Sequence, residues 1–142
     1  KNKSDAFKKL IKENEIIITA DTLVWFENKC LGKPKDKKEA KYMLKLFAGK
    51  SHDVITSVGF LTISNFKILT ESTTVIYKSL TDSEIEYYVE NVNPIDKAGS
   101  YGIQDWIGMI GVEHVNGSYT SVLGLPVPQT TNQIIKIINE NL

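Results

Sequence analysis

The sequence predicts an α/β domain in which helices flank a mixed β-sheet, and three observations carry that expectation. Apolar runs rich in β-branched residues, such as "EIIITADT" and "HDVITSVGFLTIS", have strand character. Between them lie segments that open with helix-capping patterns, Asp36 with Glu39 and Thr81 with Glu84. No linker-like stretch, repeat or low-complexity segment interrupts the alternation, and 142 residues suit one domain with one core. Adjacent strands joined by a short turn give antiparallel pairs, while strands separated by a helix give crossovers, so both pair types are expected.

Taken in order, Ser4 is placed to cap a first helix whose stripe is Phe7, Leu10 and Ile11. "EIIITADT" reads as a buried strand that stops at its polar residues, and "LVWFENKCLGKP" as a strand, a Glu-Asn-Lys turn and a second short strand. Asp36 opens a helix through Ala40, Met43, Leu44 and Phe47, with Gly49 as its terminator. "HDVITSVGFLTIS" and "KILTESTTVIYK" form a hairpin joined at Asn65-Phe66. Thr81 opens a helix burying Ile85, Tyr88 and Val89. The glycine-containing loop "DKAGSYGIQDW" follows, then a strand around "MIGVEHV" with a turn at Asn116-Gly117. "GLPVPQ" leads into a last helix carrying Ile134, Ile135, Ile137 and Ile138.

Composition narrows the function. Seventeen basic and seventeen acidic residues cancel, whereas nucleic-acid and membrane-surface binders need a basic excess. Basic residues concentrate only at "KNK" and "GKPKDKK", which suits a small polyanion better than a duplex. The single Cys30 has no partner for an intramolecular disulfide, and no apolar run reaches membrane-span length. A reducing, cytoplasmic setting is the expectation.

Three places can carry chemistry. Asp21 and Thr22 follow the apolar run, at the edge where α/β proteins place ligand groups. An acid there holds a divalent cation or orients a water, or else caps a turn; the residues alone leave both readings open. Lys33, fixed between Gly32 and Pro34, suits a point-charge phosphate contact, and is otherwise a solvated turn lysine. In the loop, Asp96 and Lys97 can orient each other, Gly99 and Gly102 allow close backbone approach, and Gln104 offers both donor and acceptor. A surface turn with a salt bridge is the other reading. His52 and Asp53 are neighbours in a strand, so they point to opposite faces and cannot readily chelate one ion; His52 is read as a structural hydrogen-bonding residue. No Gly-x-Ser-x-Gly elbow, Walker loop or dinucleotide fingerprint is present.

"ADT", "LGKP", "EAKYMLKLFAGKSHDVITSV", "DKAGSYGIQ" and "GSYTSVLGLP" occur in the order and spacing of the Maf family. Over about Ile16 to Pro126 the chain resembles these septum-formation-type nucleotide pyrophosphatases, whose fold is inosine triphosphate pyrophosphatase-like. The resemblance implies conversion of a nucleoside triphosphate and water to the monophosphate and pyrophosphate. It implies Asp21 as proton acceptor and ligand of a divalent cation, Mg²⁺ or Mn²⁺, with Asp96 in support. It implies base selection by Thr22 and Gln104, phosphate contacts from Lys33 and Lys97, and a homodimer. "ADT" with "YGIQ" resembles the branch acting on dTTP and UTP, with house-cleaning of non-standard nucleotides as a possible task. The sister branch acting on 7-methyl-GTP tends to carry "SDQ" and a Glu in the corresponding loop. A 7-methyl-GTP or modified-pyrimidine pyrophosphatase, and a non-catalytic nucleotide-binding septum regulator, are the alternatives. Members of the family open with a strand and a Ser-rich, Arg-containing loop, followed by a metal-holding Glu; nothing like it precedes Lys1. The expectation is a Maf-like domain over residues 1–142 without that strand and loop, an uncovered apolar sheet edge, and weak or no catalysis should the protein begin at Lys1.

Overall fold

A computed structural model describes residues 2–140. Its centre is a five-stranded sheet in the order β2-β1-β3-β4-β5, built from β1 (Ile17–Phe26), β2 (Lys29–Leu31), β3 (Ser51–Leu61), β4 (Phe66–Tyr77) and β5 (Val112–Asn116). All four pairings are antiparallel, so the α/β class holds while the expected mixture of pair types is not found among the described strands. The reason lies in the crossovers. Helix α2 (Lys37–Phe47) returns the chain antiparallel to β1, and α3 (Asp82–Val92) with α4 (Trp106–Gly111) returns it antiparallel to β4.

The β3–β4 hairpin is the backbone of the sheet, in register from Ser51↔Ile76 to Leu61↔Phe66. Its turn is tied by Thr62 N–H to the Asn65 carbonyl (2.9 Å). Both capping predictions find their helices. The Asp36 carboxylate accepts from the Glu39 amide at 2.8 Å, although the Glu39 carboxylate returns to the Lys35 amide rather than to Asp36. Thr81 and Glu84 make the full reciprocal box. α2 buries Ala40, Met43, Leu44 and Phe47, and α3 buries Ile85, Tyr88 and Val89, as their spacing predicts.

Three boundaries differ from expectation. α1 spans only Asn2–Asp5; Ser4 lies inside it, buried, and its hydroxyl meets the Thr19 hydroxyl (2.8 Å) instead of capping. Phe7 and Leu10 are exposed, and a short helix without a packed apolar face does not hold. β1 does not stop at "ADT" but continues to Phe26, because Val24 and Phe26 keep the alternation and are buried. Asp21 therefore caps no turn: it stands mid-strand, paired with Ser57. The residues "MIG" belong to α4, and β5 begins only at Val112. A Cβ on Gly108 would lie 2.3 Å from the Ile103 carbonyl oxygen, an approach that only glycine permits. A short helix, α5 (Tyr119–Val122), precedes α6 (Val127–Glu140), in which Ile137 is buried while Ile135 and Ile138 are exposed. No helix among the described residues is long and apolar enough to cross a membrane.

Side chains directly opposite in an antiparallel sheet share a face. On one face of β1 and β3 the pairs are Val24–Val54, Thr22–Thr56 and Ala20–Val58. Val24 and Val54 belong to the main core under α2 and α3, with Phe47, Tyr77 and Tyr88. Val58 belongs to a smaller cluster with Phe60 and Ile137, against which Ala20 packs. The threonine pair lies between the two, and this polar gap on an apolar face is where the cleft opens.

Candidate functional site

A cleft of about 370 Å³ is lined by Asp21, Thr22, Lys33, Asp96, Lys97 and Gln104, together with Val24, Tyr101 and the 122–124 segment. Each candidate site residue read from the sequence thus borders the same hollow, although they come from three separate stretches of chain.

Local structure explains how each arrives. β1 supplies the floor through Thr22 and Val24. Asp21 follows the opposite side-chain parity from Thr22 and reaches only the rim, where its carboxylate is exposed and pairs with Lys3 at 2.9 Å. β2 pairs with β1 only over Val24–Phe26, so among the described residues no strand borders the outer edge of 17–23. One wall is the loop after α3, which contains two single-turn 3₁₀ helices, Pro94–Asp96 and Ala98–Ser100. The Gly99 amide donates to the Gly32 carbonyl at 3.0 Å, which brings the Lys33 and Lys97 segments side by side. Gly99 has φ +68°, and a Cβ there would stand 3.0 Å from Val24 Cγ2. Lys97 is held by Asp96 (3.3 Å), whereas Lys33 is exposed and has no ion pair among the described residues. Gln104 is exposed at the same wall.

The wall is stiffened from behind. Tyr101 is buried, and its hydroxyl shares a 2.6 Å hydrogen bond with His52 Nε2. Burial holds the His52 imidazole down to about 4, against the opposing pull of Asp53, so the ring is neutral at pH 7. His52 is the structural hydrogen-bonding residue that the sequence suggests, and Asp53, on the other face, accepts from Thr74 at 2.7 Å. The Tyr88 hydroxyl donates to Asp105 at 2.7 Å, just beyond Gln104; burial, then that carboxylate, pushes the phenol well above its usual range.

The opposite wall escapes simple reading. Thr56, fully buried, donates to the Ser121 carbonyl at 2.7 Å and meets the Thr22 hydroxyl at 2.8 Å. Ser121, Leu123 and Gly124 lie in "GSYTSVLGLP", a recognisable stretch to which no role attaches in the sequence. Thr56 looks like any strand threonine until the β1–β3 register sets it opposite Thr22.

Among the described residues no group of three His, Cys, Asp or Glu side chains gathers to cage a metal. Mg²⁺ is commonly held by one or two carboxylates with substrate phosphates and water filling the rest of its sphere. Asp21, with Asp96 also on the cleft, fits a cation brought in by a triphosphate.

A sequence model of the family described as "Maf-like protein" matches residues 1–137. A dTTP/UTP pyrophosphatase of Christiangramia forsetii is 50% identical over 140 residues, 99% of this chain and 69% of that protein. One from Flavobacterium johnsoniae is 47% identical (96% and 70% covered), and one from Bacteroides thetaiotaomicron 41% identical (96% and 71%). With a family match of this extent, and with the quoted motifs facing one cleft, the chain belongs to the Maf-like protein family.

Proposed function

We propose that the protein is a nucleoside-triphosphate pyrophosphatase that hydrolyses dTTP and UTP to the monophosphate and pyrophosphate. The observation that carries this reading is a single cleft whose lining offers lysines, carboxylates and hydrogen-bonding groups from separate chain segments. Its similarity to proteins named dTTP/UTP pyrophosphatase supports the same substrates.

In this reading Lys33 and Lys97 receive the β- and γ-phosphates on the wall where the two loops meet, and stabilise charge on departing pyrophosphate. Thr22 and Gln104 take the pyrimidine. Asp21, open to solvent at the rim, accepts a proton from the water that attacks the α-phosphorus. Asp21 would hold a divalent cation, which when bound would supply charge neutralisation on the triphosphate. Lys3 pairs with the Asp21 carboxylate at the rim at 2.9 Å. A nucleotide substrate also fits a cytoplasmic location, where the exposed free Cys30 stays reduced.

The test is a panel of nucleoside triphosphates with Mg²⁺, each assayed for pyrophosphate and for orthophosphate. dTTP and UTP are expected to turn over best, releasing pyrophosphate. Asp21→Asn should lower kcat by about 10²–10⁴-fold while leaving the unfolding midpoint unchanged. Orthophosphate as the first product would overturn the assignment.

A further inference from the structure

The hydroxyl pair on the cleft floor has a fixed direction. Thr56 has one hydroxyl proton, and it goes to the Ser121 carbonyl, which can only accept. That carbonyl also accepts from the Gly124 amide at 2.9 Å, so the 121–124 turn is locked around it. The Thr22–Thr56 contact at 2.8 Å then has one possible donor, Thr22. With its proton committed downward, Thr22 Oγ1 has only lone pairs left for the cleft. It is not walled off: Thr22 is only half-buried and lines the cleft.

We propose that Thr56 is a positioning residue for base selection. By taking the Thr22 proton it fixes Thr22 Oγ1 as an acceptor for the N3–H of uracil or thymine, and against the unprotonated N3 of cytosine. The inference rests on the proposed pyrophosphatase activity and deepens it. Gln104 cannot make this distinction alone. Its amide can rotate to offer either oxygen or nitrogen, so it matches a carbonyl or an amino group equally well. The threonine relay cannot rotate, because its far end is a backbone carbonyl. Pairing with uracil satisfies the remaining acceptor, whereas cytosine opposes two lone pairs in a partly desolvated site.

The experiment compares kcat/KM for pyrophosphate release from UTP and CTP in the wild type, Thr56→Val and Thr56→Ser. Valine keeps the shape but frees the Thr22 proton to turn toward the cleft. The UTP/CTP ratio is expected to fall about tenfold in Thr56→Val, chiefly by a gain on CTP. Thr56→Ser, which keeps the relay, should stay near the wild-type ratio. A purely structural role would depress both substrates together and leave the ratio alone. Should Thr56→Val not fold, the wild type is tested on N3-methyl-UTP, which lacks the donor; a loss of at least about tenfold relative to UTP is expected. Undiminished turnover of N3-methyl-UTP, or an unchanged ratio in Thr56→Val with UTP turnover retained, overturns the relay alone. Absence of turnover on both UTP and dTTP in the wild type would instead remove the activity on which it rests.

Discussion

His52 links a single side chain to the stability of the cleft wall. Its ring stacks at 4.2 Å from Phe47 and hydrogen-bonds Tyr101, which itself lines the cleft. Burial lowers its pKa from 6.5 to about 4, so the folded protein resists a proton that the unfolded chain accepts freely. The sign follows directly. The contribution is fully present above pH 6.5 and is lost as pH falls through about 4. A shift of this size amounts to roughly 3 kcal/mol between neutral pH and pH below the folded value. Urea unfolding at pH 7 and pH 4.5 should therefore show the wild type losing roughly 2–3 kcal/mol more than His52→Gln, which has no ring to protonate. Parallel losses in the two proteins would mean that His52 does not carry the acid sensitivity. At this scale the sequence was informative where chemistry is local: neighbouring strand positions separate His52 from Asp53 by face, and a metal pair fails on that ground alone. It was silent on Thr56, whose partner is thirty-four residues away and enters only through the sheet register.

At the scale of elements, the contact between the Gly32 and Gly99 loops does what neither loop does alone. One backbone hydrogen bond at 3.0 Å sets two lysines on a common wall. Gly99 is needed twice: its φ of +68° costs a side-chain-bearing residue about 1–2 kcal/mol, and the added Cβ would press on Val24 and Phe47. Gly99→Ala is expected to lower stability by about 1–3 kcal/mol and to raise KM for UTP, because the lysine-bearing loops move apart. Gly32→Ala is the control, since a Cβ there meets nothing within 4 Å; its midpoint should stay within about 0.5 kcal/mol of the wild type. If both variants behave alike in denaturant melts and KM, the close approach at Gly99 is not what holds the wall. The same contrast explains which elements were legible. α2 and α3 announce themselves through capping residues and apolar spacing, both local signals. α1, the true end of β1 and the start of β5 depend on what packs against them. Ser4 takes Thr19 as partner, Val24 and Phe26 extend the strand into the core, and Gly108 presses against Ile103. Asp21 borders the cleft although the strand does not end there but runs on to Phe26.

At the scale of the whole molecule, the sheet carries two apolar clusters on one face, and the cleft occupies the seam between them. The main core anchors the wall of residues 96–104 through Tyr101 and Ile103. The opposite wall, residues 121–124, is fastened by the Thr56 bond to Ser121 and by Val122, which packs against the same main core. In the proposed reading a nucleotide in this seam touches both walls at once, with phosphates toward Lys33 and Lys97 and the base toward Thr22. Binding energy gained across the seam ties the two walls together, and a ligand that binds only the folded state stabilises it by about 2.7 kcal/mol at one hundred times its Kd. Amide hydrogen exchange with and without saturating UMP and pyrophosphate tests this reading directly. Protection is expected to rise together in residues 96–104 and 118–124. The 62–65 hairpin turn, which lies outside the cleft lining, should be unchanged and serves as the internal reference. Protection confined to residues 96–104 would mean that the ligand uses one wall only. The Thr22–Thr56–Ser121 chain would then contribute to folding without reading the base, even if pyrophosphate is released as proposed.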